Sequence, residues 1–143
     1  MLRVSIVDTN VLVAGMITRS PSSPPVLITD AMLQGRLLYV LSAELLIEYR
    51  RVLLRPNLQK LHRLTEEQID TVLTDITANS IWLEVTARSR HQAPDLGDNH
   101  LWALQSERPD AFLITGDRLL LEADNAHGPV ISPADFCLMV AGL

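Results

Sequence analysis

Short apolar segments alternate with helix-forming stretches along the whole chain, and this alternation limits the fold more than any other feature. Segment 2–7 (LRVSIV) places Leu2, Val4 and Ile6 at every second position, as a strand does, and stops at Asp8-Thr9-Asn10. Residues 37–41 (LLYVL), 81–85 (IWLEV), 111–115 (AFLIT) and 129–131 are further short apolar runs bounded by turn signals. Between them lie helices with readable ends. Ser23 is a candidate N-cap with Pro24 at the first helical position, and that helix runs to Gly35. Ser42 caps a helix over about 43–54 that Pro56 ends, and Thr65 with Gln68 forms a capping box for one over about 66–79. A helix near 98–107 begins at Asp98, a short one follows Gly116-Asp117, and a last one is capped by Ser132 with Pro133 behind it. Strands this short and apolar suit a sheet covered on both faces. The expectation is one α/β domain over residues 1–143: helices on both sides of a mainly parallel, five-stranded sheet.

Bulk properties exclude several function classes. A single cysteine, Cys137, leaves no internal disulfide and suits a reducing cytoplasm. No run approaches the roughly 20 apolar residues that span a bilayer, and no secretory leader is expected ahead of the first strand. A net charge of −5 argues against a basic nucleic-acid binder. The mean hydropathy of +0.18 is high for a small domain and suggests apolar surface that meets a partner, a second copy included. The loop 20–25 (SPSSPP) is a short connection, not a linker.

The candidate chemistry lies in the acids. In open α/β sheets, ligands bind beyond the carboxyl ends of the strands, where strand order reverses. Asp8 closes the first strand, and Asp117 follows the fourth by two residues. Asp98 opens the helix before that strand, with Asp95 just ahead of it. Two of them have a plain structural role open: Asp98 at a helix start is ordinarily an N-cap, and Asp117 after Gly116 is ordinarily turn chemistry, whereas Asp8, directly after a buried strand, is harder to assign to structure alone. Carboxylates gathered together repel, and a divalent cation resolves that conflict. Oxygen ligands point to Mg²⁺ or Mn²⁺. Glu44 and Glu48 share one helix face, and spacing alone does not choose between them. Arg50, Arg51 and Arg55, with Lys60, His62 and Arg63, form a candidate basic flank for a polyanion or a solvated helix face. The four histidines show no ligand spacing. His100 is the nearest to an acid, and its simplest reading is structural.

Three rival chemistries fit less well. A phosphatase or phosphotransferase of the haloacid-dehalogenase type needs an acid two residues after Asp8, where Asn10 stands. A receiver domain needs an acidic pair ahead of its phosphorylated Asp, and Arg3–Val7 supplies none. A Rossmann site needs a Gly-rich turn after the first strand.

The same residues resemble the PIN-domain family, and within it the small bacterial toxins of toxin–antitoxin pairs. Val7-Asp8-Thr9-Asn10-Val11-Leu12-Val13 is similar to the family's opening motif, and the segment 42–49 (SAELLIEY) with Val52-Leu53 and Arg55-Pro56 to its second. Asp95-Leu96-Gly97-Asp98-Asn99 resembles the third, and Leu113-Ile114-Thr115-Gly116-Asp117-Arg118 the fourth. Leu119 departs from the acid or polar residue that often follows there. The resemblance selects Glu48 over Glu44 and makes Asp98, not Asp95, the ligand of its pair. It implies that Asp8, Glu48, Asp98 and Asp117 hold one or two Mg²⁺ or Mn²⁺ ions. Thr9, Asn10, Asn99 and Thr115 would support them or touch phosphate, leaving Asp95 as an additional acid. It further implies cleavage of single-stranded RNA to 5′-phosphate and 3′-hydroxyl ends, contact of Arg50, Arg51 and Arg55 with RNA, and an antitoxin partner. A degenerate domain used only for binding is the alternative, and the presence of all four acids argues against it.

Overall fold

Val4–Val7 (β1) is buried along its whole length, so both of its faces are covered, and it forms the centre of the sheet in a computed structural model of the chain. The structure describes residues 3–86, 92–140 and 142–143. Thus Leu2, expected to begin the first strand, lies outside the described residues.

Among the described residues the sheet has five strands in the order β3-β2-β1-β4-β5: Leu38–Leu41 (β2), Ile81–Trp82 (β3), Phe112–Ile114 (β4) and Val130–Ile131 (β5) flank β1. Every pairing is parallel, with Ser5 opposite Tyr39 on one side and Phe112 on the other. Parallel strands need crossover connections, and helices supply them. Thr9–Ile17 (α1) and Pro24–Leu33 (α2) join β1 to β2. Ala43–Leu53 (α3), Pro56–His62 (α4) and Glu66–Ala78 (α5) join β2 to β3. Asn99–Glu107 (α6) precedes β4, Arg118–Glu122 (α7) joins β4 to β5, and Pro133–Met139 (α8) follows. Strand order reverses between β1 and β4, so the sheet has its switch point where Asp8 ends one strand and Thr115-Gly116-Asp117 follows the other. The α/β class and the five strands are as the sequence predicts, with a wholly parallel sheet.

Most caps also match. Ser42 accepts from Leu45 N, Thr65 and Gln68 close the capping box, and Ser132 accepts from Asp135 N. Ser23 occupies the N-cap position of α2 but makes no side-chain capping bond. Two helices are not foreseen. α1 begins immediately after Asp8, and its VLVAGMI run is apolar without a polar face to mark a helical period. Pro56 does end α3, which stops at Leu53, but it also opens α4, since a residue with fixed φ and no N–H suits a first helical position. The predicted strand 81–85 is cut to two residues at the sheet edge, although Leu83 N still donates to Leu41 O at 3.0 Å.

Ile6, Val7, Leu12, Leu41, Leu45, Leu53, Trp102, Leu113 and Phe136 belong to one buried cluster. Gly15 lets α1 and α2 approach closely, because a Cβ there would sit 2.7 Å from the Pro25 carbonyl oxygen. Tyr49 of α3 is fully buried beneath the end of β1, and its hydroxyl donates to the Val7 carbonyl, one residue before Asp8. Tyr49→Phe leaves that carbonyl without its side-chain partner, so a loss of about 1–3 kcal/mol is expected in urea unfolding. An unchanged midpoint would show that the hydroxyl carries no such load.

Candidate active site at the carboxyl ends of the strands

Asp8 is only 4% exposed and spends one carboxylate oxygen on helix α1: Oδ1 accepts from Thr9 N at 2.7 Å. Its other oxygen faces β4. Oδ2 accepts from Thr115 Oγ1 at 2.8 Å and from Asn10 Nδ2 at 3.0 Å. The backbone holds the same register, with Asp8 N donating to Ile114 O at 2.9 Å. Asn10 then spans the switch point, its Oδ1 accepting from Gly116 N at 2.9 Å. Thr115 Oγ1 also accepts from Asp117 N at 3.0 Å, so one hydroxyl touches both strand-end acids. This hydrogen-bonded ring fixes the Asp8 rotamer and the turn that carries Asp117.

Asp117 caps α7 through Oδ1, which accepts from Leu119 N at 2.9 Å. Capping is thus a role of Asp8 and Asp117, whereas the sequence placed it at Asp98 and gave Asp117 turn chemistry. It does not exclude a second role, because a carboxylate has about four lone-pair sites and a cap uses one. Asp98 behaves differently. It stands at the N-cap position of α6, after a 3-10 turn over Leu96–Asp98, yet makes no capping bond. Asp95 makes that kind of bond instead, accepting from Gly97 N at 2.9 Å.

Electrostatics tie the acids together. Asp98 is pushed up to about 6, first by burial and then by the negative charges of Asp8, Asp95, Glu48 and Asp117. The Asp8 carboxyl is likewise raised, chiefly by burial, although the bonds from Thr115 and Thr9 pull the other way. Glu48, halfway along α3, is held the opposite way. The contact with His100 lowers it, burial opposes, and the Thr9 hydroxyl that donates to Oε2 lowers it further. Arg51 adds a weaker contact, 3.8 Å from Oε1.

Other predicted residues fall elsewhere. Asn99 accepts from Ala93 N at 2.8 Å and ties the preceding loop to α6. Arg50 is paired with Glu66 at 2.6 Å and Asp70 at 2.8 Å on α5, so its guanidinium is already occupied. Arg55 is exposed at the junction of α3 and α4. His62 caps chain ends there, contacting Leu53 O at 2.9 Å and accepting from Leu64 N at 3.0 Å. Of the three arginines only Arg51 stands beside the acids. His100 is the neighbour that spacing did not reveal: it touches Glu48, 52 positions away in sequence, and no local pattern reports such a contact.

No three His, Cys, Asp or Glu side chains among the described residues form a ready-made metal cage. The donor set still fits a hard cation. Its groups are all carboxylates, two of them destabilised in their charged form, and Mg²⁺ needs only one or two carboxylates when waters and phosphate oxygens complete its shell.

A doubly wound parallel sheet with acids assembled at its switch point defines an open α/β domain of the kind that binds its ligand beyond the strand ends. The family model that matches is that of the PIN domain, over residues 4–119, and the chain belongs to that family. Comparisons with curated proteins and with solved structures gave no match. No helix among the described residues is long and apolar enough to cross a membrane.

Proposed function

We propose that this protein is a divalent-metal-dependent endoribonuclease acting on single-stranded RNA, with Asp8, Glu48, Asp98 and Asp117 as its metal-holding acids. The observation that carries the reading is the hydrogen-bonded ring of Asp8, Asn10, Thr115 and Asp117 across β1 and β4, with Asp98 under the field of the other acids. A bound Mg²⁺ or Mn²⁺ would polarise the phosphoryl oxygens and lower the pKa of a water, supplying the nucleophile at neutral pH. The Asp8 carboxylate is oriented by Thr9, Asn10 and Thr115, and that of Asp117 by Leu119 N, so their free lone pairs keep one direction. Asp98 and Glu48 lie close enough for their charges to act on Asp8 and on each other. Arg51 is the cation placed to meet a phosphate, which answers the net charge of −5 locally.

Purified protein is expected to cut single-stranded RNA in Mg²⁺ or Mn²⁺, to leave 5′-phosphate ends and to stop on addition of EDTA. Cutting that continues at full rate in EDTA would sink the metal-dependent reading. On the same reading the chain is a cytoplasmic toxin that a small antitoxin inhibits, and a homodimer. Exposed Leu138, Ile47 and Leu96 support such partner surfaces. A clean monomer by light scattering at high concentration would remove the dimer.

A further inference from the structure

The PIN-type site has a residue that its acids do not account for. His100 lies in the first turn of α6, two positions after Asp98, and its side chain is only 11% exposed. Neither ring nitrogen makes a hydrogen bond of good geometry, although both are buried. The polar group that Nε2 approaches is Glu48 Oε2, at 3.4 Å and poorly aligned. Burial should push the imidazole down; its contact with Glu48 overrides this and holds it up.

A histidine kept for the fold alone would be a poor choice in this position. A buried polar group without a good partner costs about 1–3 kcal/mol, which an apolar side chain of similar size would recover. Glu48, in turn, has a demanding placement. It projects from the middle of α3, 17% exposed, with a long side chain whose free rotamers would carry the carboxylate away from Asp8 and Asp98. Thr9 holds Oε2 from the β1 side. His100 meets the same oxygen from α6, so α1, α3 and α6 converge on one carboxylate. Hydrogen bonds in catalytic sites are often long before the ligand binds and tighten afterwards.

We infer that His100 is a positioning residue: with Thr9 it clamps the Glu48 carboxylate toward Asp8 and Asp98, setting metal affinity without touching the metal. The inference rests on the nuclease reading above. It requires only that a ring N–H face Glu48 and does not depend on a change of protonation.

Calorimetric titration with Mn²⁺, thermal melting and steady-state RNA cleavage test it together. His100→Leu is expected to weaken Mn²⁺ binding by roughly 10–100-fold, the effect usual for groups that orient a ligand. Its Tm should stay level or rise, and kcat should fall more than KM moves. His100→Asn, too short to reach Glu48, should lose the same affinity and serves if the Leu variant does not fold. His100→Gln, with an amide donor on a longer arm, should recover part of it. In a Glu48→Gln background, His100→Leu should change Mn²⁺ binding no further. Wild-type affinity in folded His100→Leu or His100→Asn, or full additivity with Glu48→Gln, would overturn the clamp. Wild-type protein that binds no Mn²⁺ would instead overturn the nuclease reading on which it stands.

Discussion

Asp8→Asn is expected to lower RNA cleavage by more than the roughly 10–100-fold that loss of an orienting residue costs, while the protein stays folded. Asp8 is the acid with the least freedom: 4% exposed, three hydrogen bonds, and a backbone N–H still joined to β4. The substitution removes the charge and nothing of the shape. Two structural effects then oppose each other. Burial raises the Asp8 carboxyl, so a neutral side chain relieves a penalty present at pH 7. Against this, an amide nitrogen in place of the oxygen that accepts from Thr115 and Asn10 loses two bonds, each worth about 1 kcal/mol. Tm should therefore move little in either direction. Activity and circular dichroism on the same nuclease-free preparation decide the matter, and undiminished cleavage by a folded Asp8→Asn protein would remove the mechanism.

The second large effect joins metal binding to pH. Asp98 and Asp8 both have raised carboxyls, so the folded chain favours their neutral forms. Their contribution to stability is fully present below the unfolded value of 3.8 and is lost as pH rises, for Asp98 through about 6. Glu48 runs the other way. Its carboxyl is lowered, so its contribution is present above the unfolded 4.5 and is lost as pH falls through the folded value. The metal-free protein should accordingly lose acid-cluster stability between about pH 4 and 6, with Glu48 offsetting part of it. Mn²⁺ should reverse that loss. At a free concentration one hundred times Kd it adds about 2.7 kcal/mol, which for a chain of this length is a rise in Tm of roughly 5–10 °C. The rise should be large at pH 7.5 and small at pH 4.5, where protons compete for the same oxygens. A Tm rise of equal size at both pH values would place the metal elsewhere, and none at pH 7.5 would deny the site.

Much of this architecture is legible without coordinates, for local reasons. Short strands buried on both faces are continuously apolar, caps are side chains acting on their own helix, and strand-end acids follow directly from both. Hence the α/β class, the five strands, the caps at Ser42, Thr65 and Ser132, and the candidates Asp8 and Asp117 are all accessible to sequence. Glu48 required the family resemblance, because Glu44 lies on the same helix face and periodicity treats them alike. The α1 helix escaped because its residues are apolar all round, and α4 because one proline can close a helix and open the next.

The tertiary structure decided what depends on contacts between distant segments. It ordered the strands so that β1 and β4 adjoin, which turned two separate acids into one site joined by Thr115 and Asn10. It paired Arg50 with Glu66 and Asp70 and left Arg51 beside Glu48. It also brought His100 to Glu48 across 52 positions. The sequence by itself determined the elements and the chemical types at their ends, because both are written in local periodicity and capping. Which of those groups face one another was settled only by packing, since it depends on the order of strands and the side each helix covers.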